Sequence, residues 1–143
     1  MKEVDIPDIN VWIALTIPSH EHHHRAQLYW NNEAKPQLSF CSITMIGLVR
    51  VCSNAPIAKG TTLSKEDAWS IYVDWAKQPE VSYLRENENT RTEFIRIVSD
   101  GLTTRHTWTD GYLAALAKST GSRLVSFDGD FKVFDGLEFL HLK

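Results

Sequence analysis

Five short β-like runs, separated by longer stretches of helical period, set the narrowest limits on what this chain can fold into. They are Glu3 to Ile6, Gln37 to Phe40, Glu80 to Tyr83, Arg123 to Phe127 and Leu137 to Leu140. Strands that alternate with helices cannot pair through tight hairpins, so they are expected to lie parallel with helices on both faces. The expected fold class is therefore α/β: a three-layer α/β/α sandwich around a short, mainly parallel sheet, with the last run as an edge. The 143 residues hold no internal repeat or low-complexity tract and suit a single domain over 1–143.

The helices between these runs announce themselves by caps and period. Ser64 with Asp67 reads as a capping box, and Ala68, Trp69, Ile71, Tyr72, Trp75 and Ala76 then fall on one face. Thr90 with Glu93 repeats the box ahead of Phe94, Ile95, Ile97 and Val98, and Gly101 stops that helix. A third helix is expected from about Thr109 to Thr120, ending at Gly121, with Ala114, Ala115 and Ala117 small enough to let it lie close on the sheet. Pro18 and Ser19 separate Asn10 to Ile17 from a helix that begins near His20 and ends before Pro36. The stretch Ser53 to Leu63, with Pro56 and Gly60, reads as a helix-to-helix connection.

Composition narrows the function. The formal net charge is −3, from 15 Lys and Arg against 18 Asp and Glu, so no bulk basic field exists to bind nucleic acid non-specifically. Any RNA contact has to be local. Cys41 and Cys52 lie in apolar runs without Cys-x-x-Cys spacing and read as buried thiols of a reducing compartment. The opening MKEVDIPD turns acidic before an apolar stretch develops, and no run reaches the length of a membrane span. A cytoplasmic protein without a membrane anchor is expected.

Three carboxylates stand where a parallel sheet gathers its ligands. Asp8 follows the first strand, Asp128 follows Leu124 to Phe127, and Asp110 opens the helix leading into that strand. Sites in open α/β sheets lie beyond the carboxyl ends of the strands, so Asp8 and Asp128 can meet there despite their distance in sequence. Clustered carboxylates repel unless a hard cation neutralises them, and oxygen ligands suit Mg²⁺ or Mn²⁺. Such a site supports phosphodiester hydrolysis. Plainer readings exist. Asp110, three residues after Thr107, also completes a capping box, and Asp128-Gly129 is a common turn pair. Asp8 has less excuse, because Asn10 already reads as the N-cap of the first helix. Asp130 is near enough to join the metal site but also reads as a solvated turn residue.

The runs DINVWIAL from Asp8, SITMIGLVR from Ser42, TDGYLAALA from Thr109 and LVSFDGDF from Leu124 resemble, in order and spacing, the PIN-domain ribonucleases that act as VapC-type toxins of type II toxin–antitoxin systems. The resemblance spans nearly the whole chain. It implies a PIN-like sandwich, a Mg²⁺- or Mn²⁺-dependent endoribonuclease, inhibition by a cognate antitoxin protein and a homodimer. It assigns Asp8, Asp110 and Asp128 as catalytic and metal-binding carboxylates, with Asp130 as a further metal ligand. The second acid of the family pattern is absent. Where the pattern has Thr-x-x-Glu, this chain reads Thr44, Met45, Ile46, Gly47, with Arg50 following. Asp130, Glu86 and Glu88 are candidates to replace the missing charge.

Candidate substrate contacts are Asn10, Thr44, Arg50, Arg105 and Lys132, the basic ones as holders of phosphate and equally as solvated surface charge. Trp108 either stacks a base or packs at a helix start. His20, His22, His23 and His24 lack the partners of a zinc motif and read as surface or packing residues, although the His20 and His23 pair also occurs in the relatives that this chain resembles. Two other functions stay open: a PIN-like interaction module weakened by Gly47, and a phosphotransfer domain with Asp8 as nucleophile. Against the second, Asn10 stands where aspartyl phosphatases carry another Asp.

Overall fold

The computed structural model describes residues 3–54, 63–101 and 106–143. Its strands are β1 (Val4–Pro7), β2 (Gln37–Phe40), β3 (Val81–Tyr83), β4 (Arg123–Ser126) and β5 (Phe139–His141). They form one sheet in the order β3-β2-β1-β4-β5, and every neighbouring pair is parallel. All five expected strands are present. β5 is an edge, as expected, but starts two residues later than its apolar run.

The helices are α1 (Ile9–Thr16), α2 (His23–Leu28), α3 (Ser42–Asn54), α4 (Lys65–Ala76), α5 (Thr90–Ser99) and α6 (Trp108–Thr120). The period-two alternation of the strands sorts their side chains into two apolar layers. Leu38, Phe40 and Val125 pack with α1 to α4, while Ile6 and Leu124 pack with Leu113, Leu116 and Ala117 of α6. Trp12 anchors the first layer, stacked on Phe40 with ring centroids 3.9 Å apart and edge-on to Trp75 at 5.5 Å. In the second, Ala117 packs against the sheet as expected, whereas Ala114 and Ala115 are buried against Ile97 and Phe94 of α5, so those two bring α6 close to its neighbouring helix rather than to the sheet. Among the described residues, no helix is long and apolar enough to cross a membrane.

Local caps explain where α4 begins and where α6 ends. Ser64 accepts the Asp67 N–H at 3.0 Å, and Gly121 closes α6 with φ of 65°, a conformation that other residues rarely adopt. Two expectations need correction. Thr90 lies inside α5 rather than capping it: Asn89 is the cap residue, the Thr90 hydroxyl accepts the Asn87 N–H, and Glu93 pairs with Arg96 and Lys118. The helix expected from His20 begins at His23 and widens at Tyr29–Glu33 into a π turn. Of the predicted connection Ser53 to Leu63, positions 55–62 lie outside the described residues.

A buried ion pair ties β1 to β4 at the start of both strands. Asp5 is fully buried and accepts from Arg123 Nε (2.8 Å) and a second guanidinium nitrogen (2.9 Å), from the Tyr29 hydroxyl (2.7 Å) and from the Lys35 N–H (3.1 Å). The guanidinium also donates to the Glu33 carbonyl at 2.9 Å. Burial, then the charge and hydrogen bond of Asp5, push the Tyr29 phenol above its usual range. With every partner present the pair is satisfied, whereas removing one partner leaves a buried charge alone. Arg123→Ala is therefore expected to destabilise the fold by about 3–5 kcal/mol, read as a loss on the order of 10 °C in Tm. An unchanged melting curve would show that Asp5 is relieved by water instead.

Candidate active site

β1 passes into α1 without a loop, and this junction places the first carboxylate. Asp8 is extended (φ −64°, ψ 164°), donates its N–H to the Val125 carbonyl at 2.8 Å and accepts the Ile9 N–H on Oδ1 at 2.7 Å. Asp8, not Asn10, is thus the N-cap of α1. The helix starts immediately after the strand, which leaves Asn10 inside its first turn. There Asn10 donates to Ser126 Oγ (3.1 Å) and accepts the Phe127 N–H (3.3 Å), bracing the end of β4.

Ser126 links the carboxylates. Its hydroxyl donates to Asp8 Oδ2 at 2.8 Å and accepts the Asp128 N–H at 3.0 Å, so one buried oxygen fixes the acid after β1 and the turn after β4. Sequence reasoning passed over Ser126. The available signal was a serine ending an apolar strand two residues before an acid. Asp128 Oδ1 accepts the Asp130 N–H at 2.9 Å, which shapes the short 3₁₀ turn Gly129–Val133. Asp110 completes a reciprocal capping box: its N–H donates to Thr107 Oγ1 (3.1 Å) and its Oδ2 accepts the Thr107 N–H (3.0 Å). The plainer readings of Asp110 and Asp128 therefore hold. In each, one oxygen shapes the backbone and the other accepts no hydrogen bond among the described residues.

Asp8 feels the other two acids. Burial, followed by the charges of Asp110 and Asp128, pushes Asp8 up to about 6 against the lowering effect of its bonds to Ser126 and Ile9. No Lys or Arg forms an ion pair with Asp8, Asp110 or Asp128 among the described residues. The donor set, all carboxylate oxygen with uncompensated negative charge, fits a hard divalent cation. Among the described residues, no three His, Cys, Asp or Glu side chains stand close enough to hold an ion as they are. Asp8 is fixed through both oxygens by Ile9 and Ser126, so Asp110 and Asp128 would have to close toward it.

The other candidates are placed as follows. Asp130 gives its carbonyl to His106 Nε2 at 3.0 Å, beside Asp128. Lys132 is exposed on the same 3₁₀ turn. Thr44 is fully buried, with its hydroxyl bonded to the Cys41 N–H at 2.9 Å, and so holds the first turn of α3. Arg50 lies two turns along α3, about 12 Å from its start, and lines a groove against α4 with Ile46, Val49, Lys65 and Trp69. Arg105 lies outside the described residues. Glu86 accepts a short hydrogen bond from the Tyr112 hydroxyl. Trp108 is 67% exposed, so the packing reading of it does not hold. His22 stacks on Phe127 with centroids 4.5 Å apart, and His23 Nδ1 bonds the Ala14 carbonyl at 2.7 Å, in keeping with packing roles.

Gly47 is buried against α1. A Cβ added there would stand 2.6 Å from Ile9 Cγ1, so isoleucine fills the space through which an acidic side chain would leave α3. Gly47→Glu is expected to lower stability by about 1–3 kcal/mol through overpacking, and Ile9→Ala added to it should recover part of that loss. Independent, additive losses in thermal melts would count against this contact.

The raised Asp8 carboxyl makes a second prediction. Above pH 6 it is ionised both folded and unfolded, and the fold carries the full desolvation cost. Below 3.8 it is protonated in both states and the cost is gone. Its contribution to stability therefore falls as pH rises between those values. Asp8→Asn retains a capping side chain and should melt higher at pH 7.5 in chelator, by on the order of 2–3 kcal/mol, with the gain fading toward pH 4. A pH-independent difference would refute this account.

The PIN-domain family model matches residues 6–137. Ribonuclease VapC41 of Mycobacterium tuberculosis is 28% identical over 92% of this chain and 93% of its own length. Among solved structures, VapBC2 from Rickettsia felis bound to a promoter DNA fragment superposes with a TM-score of 0.71 at 14% identity, covering 98% of this chain and 99% of that one. VapC20 of M. tuberculosis, described as a sarcin-ricin loop cleaving toxin, gives 0.67 at 16% identity, over 94% and 97%. Sheet order, family match and relatives of similar length agree, and the chain belongs to the PIN-domain family, in its VapC-type branch.

Proposed function

We propose that this chain is a metal-dependent endoribonuclease and the toxin of a toxin–antitoxin pair, working as one PIN unit in the cytoplasm. The observation that carries the reading is a trio of acids without a basic partner among the described residues: Asp8 at the end of β1, which feels the charges of Asp110 at the start of α6 and of Asp128 after β4, where an open parallel sheet binds its ligands. Mg²⁺ or Mn²⁺ held by these three acids, with Asp130 as a further ligand, would supply a Lewis acid for hydrolysis of the RNA phosphodiester.

The residues of the chain have separable parts in this reading. Ser126 holds Asp8 Oδ2, and the Ile9 N–H holds Oδ1, so Asp8 keeps one orientation as charge is neutralised around it. Asp110 and Asp128 keep one oxygen each for the ligand. Lys132, exposed on the 3₁₀ turn that Asp128 caps, would meet a phosphate. Asp8, whose carboxyl is pushed up by burial and then by the charges of Asp110 and Asp128, would be relieved by a cation bound among the three acids.

Partners follow from relatives. The Rickettsia felis neighbour is a VapBC assembly on DNA, which supports an antitoxin partner, and a homodimer is part of the same proposal. One observation favours a second reading. Ile9 occupies the space beside Gly47, so α3 has no room for the family's second acid, and without replacement by Asp130, Glu86 or Glu88 the domain would bind RNA or protein with weakened catalysis.

Antitoxin-free protein incubated with pooled cellular RNA should cleave with Mg²⁺ or Mn²⁺, and cleavage should drop at least 100-fold with chelator or in a folded Asp110→Asn variant. Metal-dependent cleavage that persists in Asp110→Asn would overturn the assigned site. Failure of both proteins on pooled RNA and on structured tRNA and rRNA would favour the interaction module.

A further inference from the structure

We infer that Tyr83 and Arg85, at the end of β3, form a stacking subsite for a base of single-stranded RNA beside the carboxylate edge; the inference rests on the ribonuclease reading. Strand register places them. Asp5 pairs with Leu38, so two residues on, Pro7 stands level with Phe40, and Phe40 pairs with Tyr83. Pro7 directly precedes Asp8. Tyr83 therefore stands at the height of the catalytic edge, two strands from β1 or about 10 Å across the sheet, within the span of a dinucleotide laid along that edge.

Three features suit these residues to a base and its phosphate. Tyr83 is 39% exposed although it ends a strand, and its hydroxyl is fixed on Ser42 Oγ at 2.7 Å, which orients the ring without burying it. The Arg85 guanidinium lies over that ring, 5.7 Å from its centroid. Arg85 is exposed and pairs with no carboxylate among the described residues, so its charge is available to a ligand. A planar cation over an aromatic ring offers one stacking face and one phosphate contact together, a combination that single-stranded nucleic acid uses and a duplex with stacked bases does not. A chain with net charge −3 needs such a local device to hold RNA.

The test separates this inference from the nuclease reading by measuring binding without cleavage. In an Asp110→Asn background, fluorescence anisotropy of a labelled 12-nucleotide oligouridylate is compared for Tyr83→Leu, Arg85→Ala and Tyr83→Phe. Tyr83→Leu and Arg85→Ala should each weaken binding about 10-fold, Tyr83→Phe should retain it, and a duplex of equal length should bind the variants alike. Arg85 is solvated, so its variant tests the idea even if Tyr83→Leu folds poorly. Equal affinities across the variants, or equal losses on duplex RNA, would overturn the subsite even if metal-dependent cleavage is found. A Tyr83-dependent preference for single strands would uphold it even if cleavage is not.

Discussion

The pairing of β1 with β4 is the constraint on which the rest depends. Residues 118 positions apart meet at both ends of these strands, as Asp5 with Arg123 at the start and Asp8 with Ser126 at the finish. Nothing local enforces this. A parallel pair so distant in sequence forms only when the intervening helices have covered the sheet, so the site is assembled by the whole fold rather than by any segment of it. Sheet order reverses direction between β1 and β4, the kind of position at which open parallel sheets bind their ligands.

The two ends of this strand pair handle buried charge in opposite ways. At the start of the strands, Asp5 has a guanidinium and two further donors, and the charge becomes a structural tie. At their finish, Asp8 has only a hydroxyl and one N–H, and burial, with a smaller push from Asp110 and Asp128, raises its carboxyl to about 6. The first arrangement is complete within the chain. The second leaves a buried carboxyl raised and without a basic partner among the described residues, which is the physical reason to propose function there.

α3 shows how packing and chemistry compete for the same volume. At Gly47 the helix approaches α1 closely enough that Ile9, the residue after the capping acid, lies against its backbone. The contact steadies the start of α1 and therefore Asp8. It also removes the room for a fourth carboxylate, so the chain has exchanged a charge at this position for apolar packing.

Much of this was legible in the sequence. Alternating strands and helices determined the α/β class, the apolar runs located all five strands, and Ser64, Gly121 and the Thr107 to Asp110 spacing marked helix ends by local hydrogen bonding and glycine's access to positive φ. The order of Asp8, Asp110 and Asp128 also pointed to one edge of the sheet. Tertiary structure alone decided the rest. It made Asp8 rather than Asn10 the cap, because β1 turns directly into α1. It buried Thr44 and carried Arg50 down α3 and away from the edge. It brought Ser126 between two acids and raised Tyr83 to the level of Asp8. These are matters of register and burial between segments far apart in the chain, and local pattern carries no information about which distant neighbour a side chain will meet.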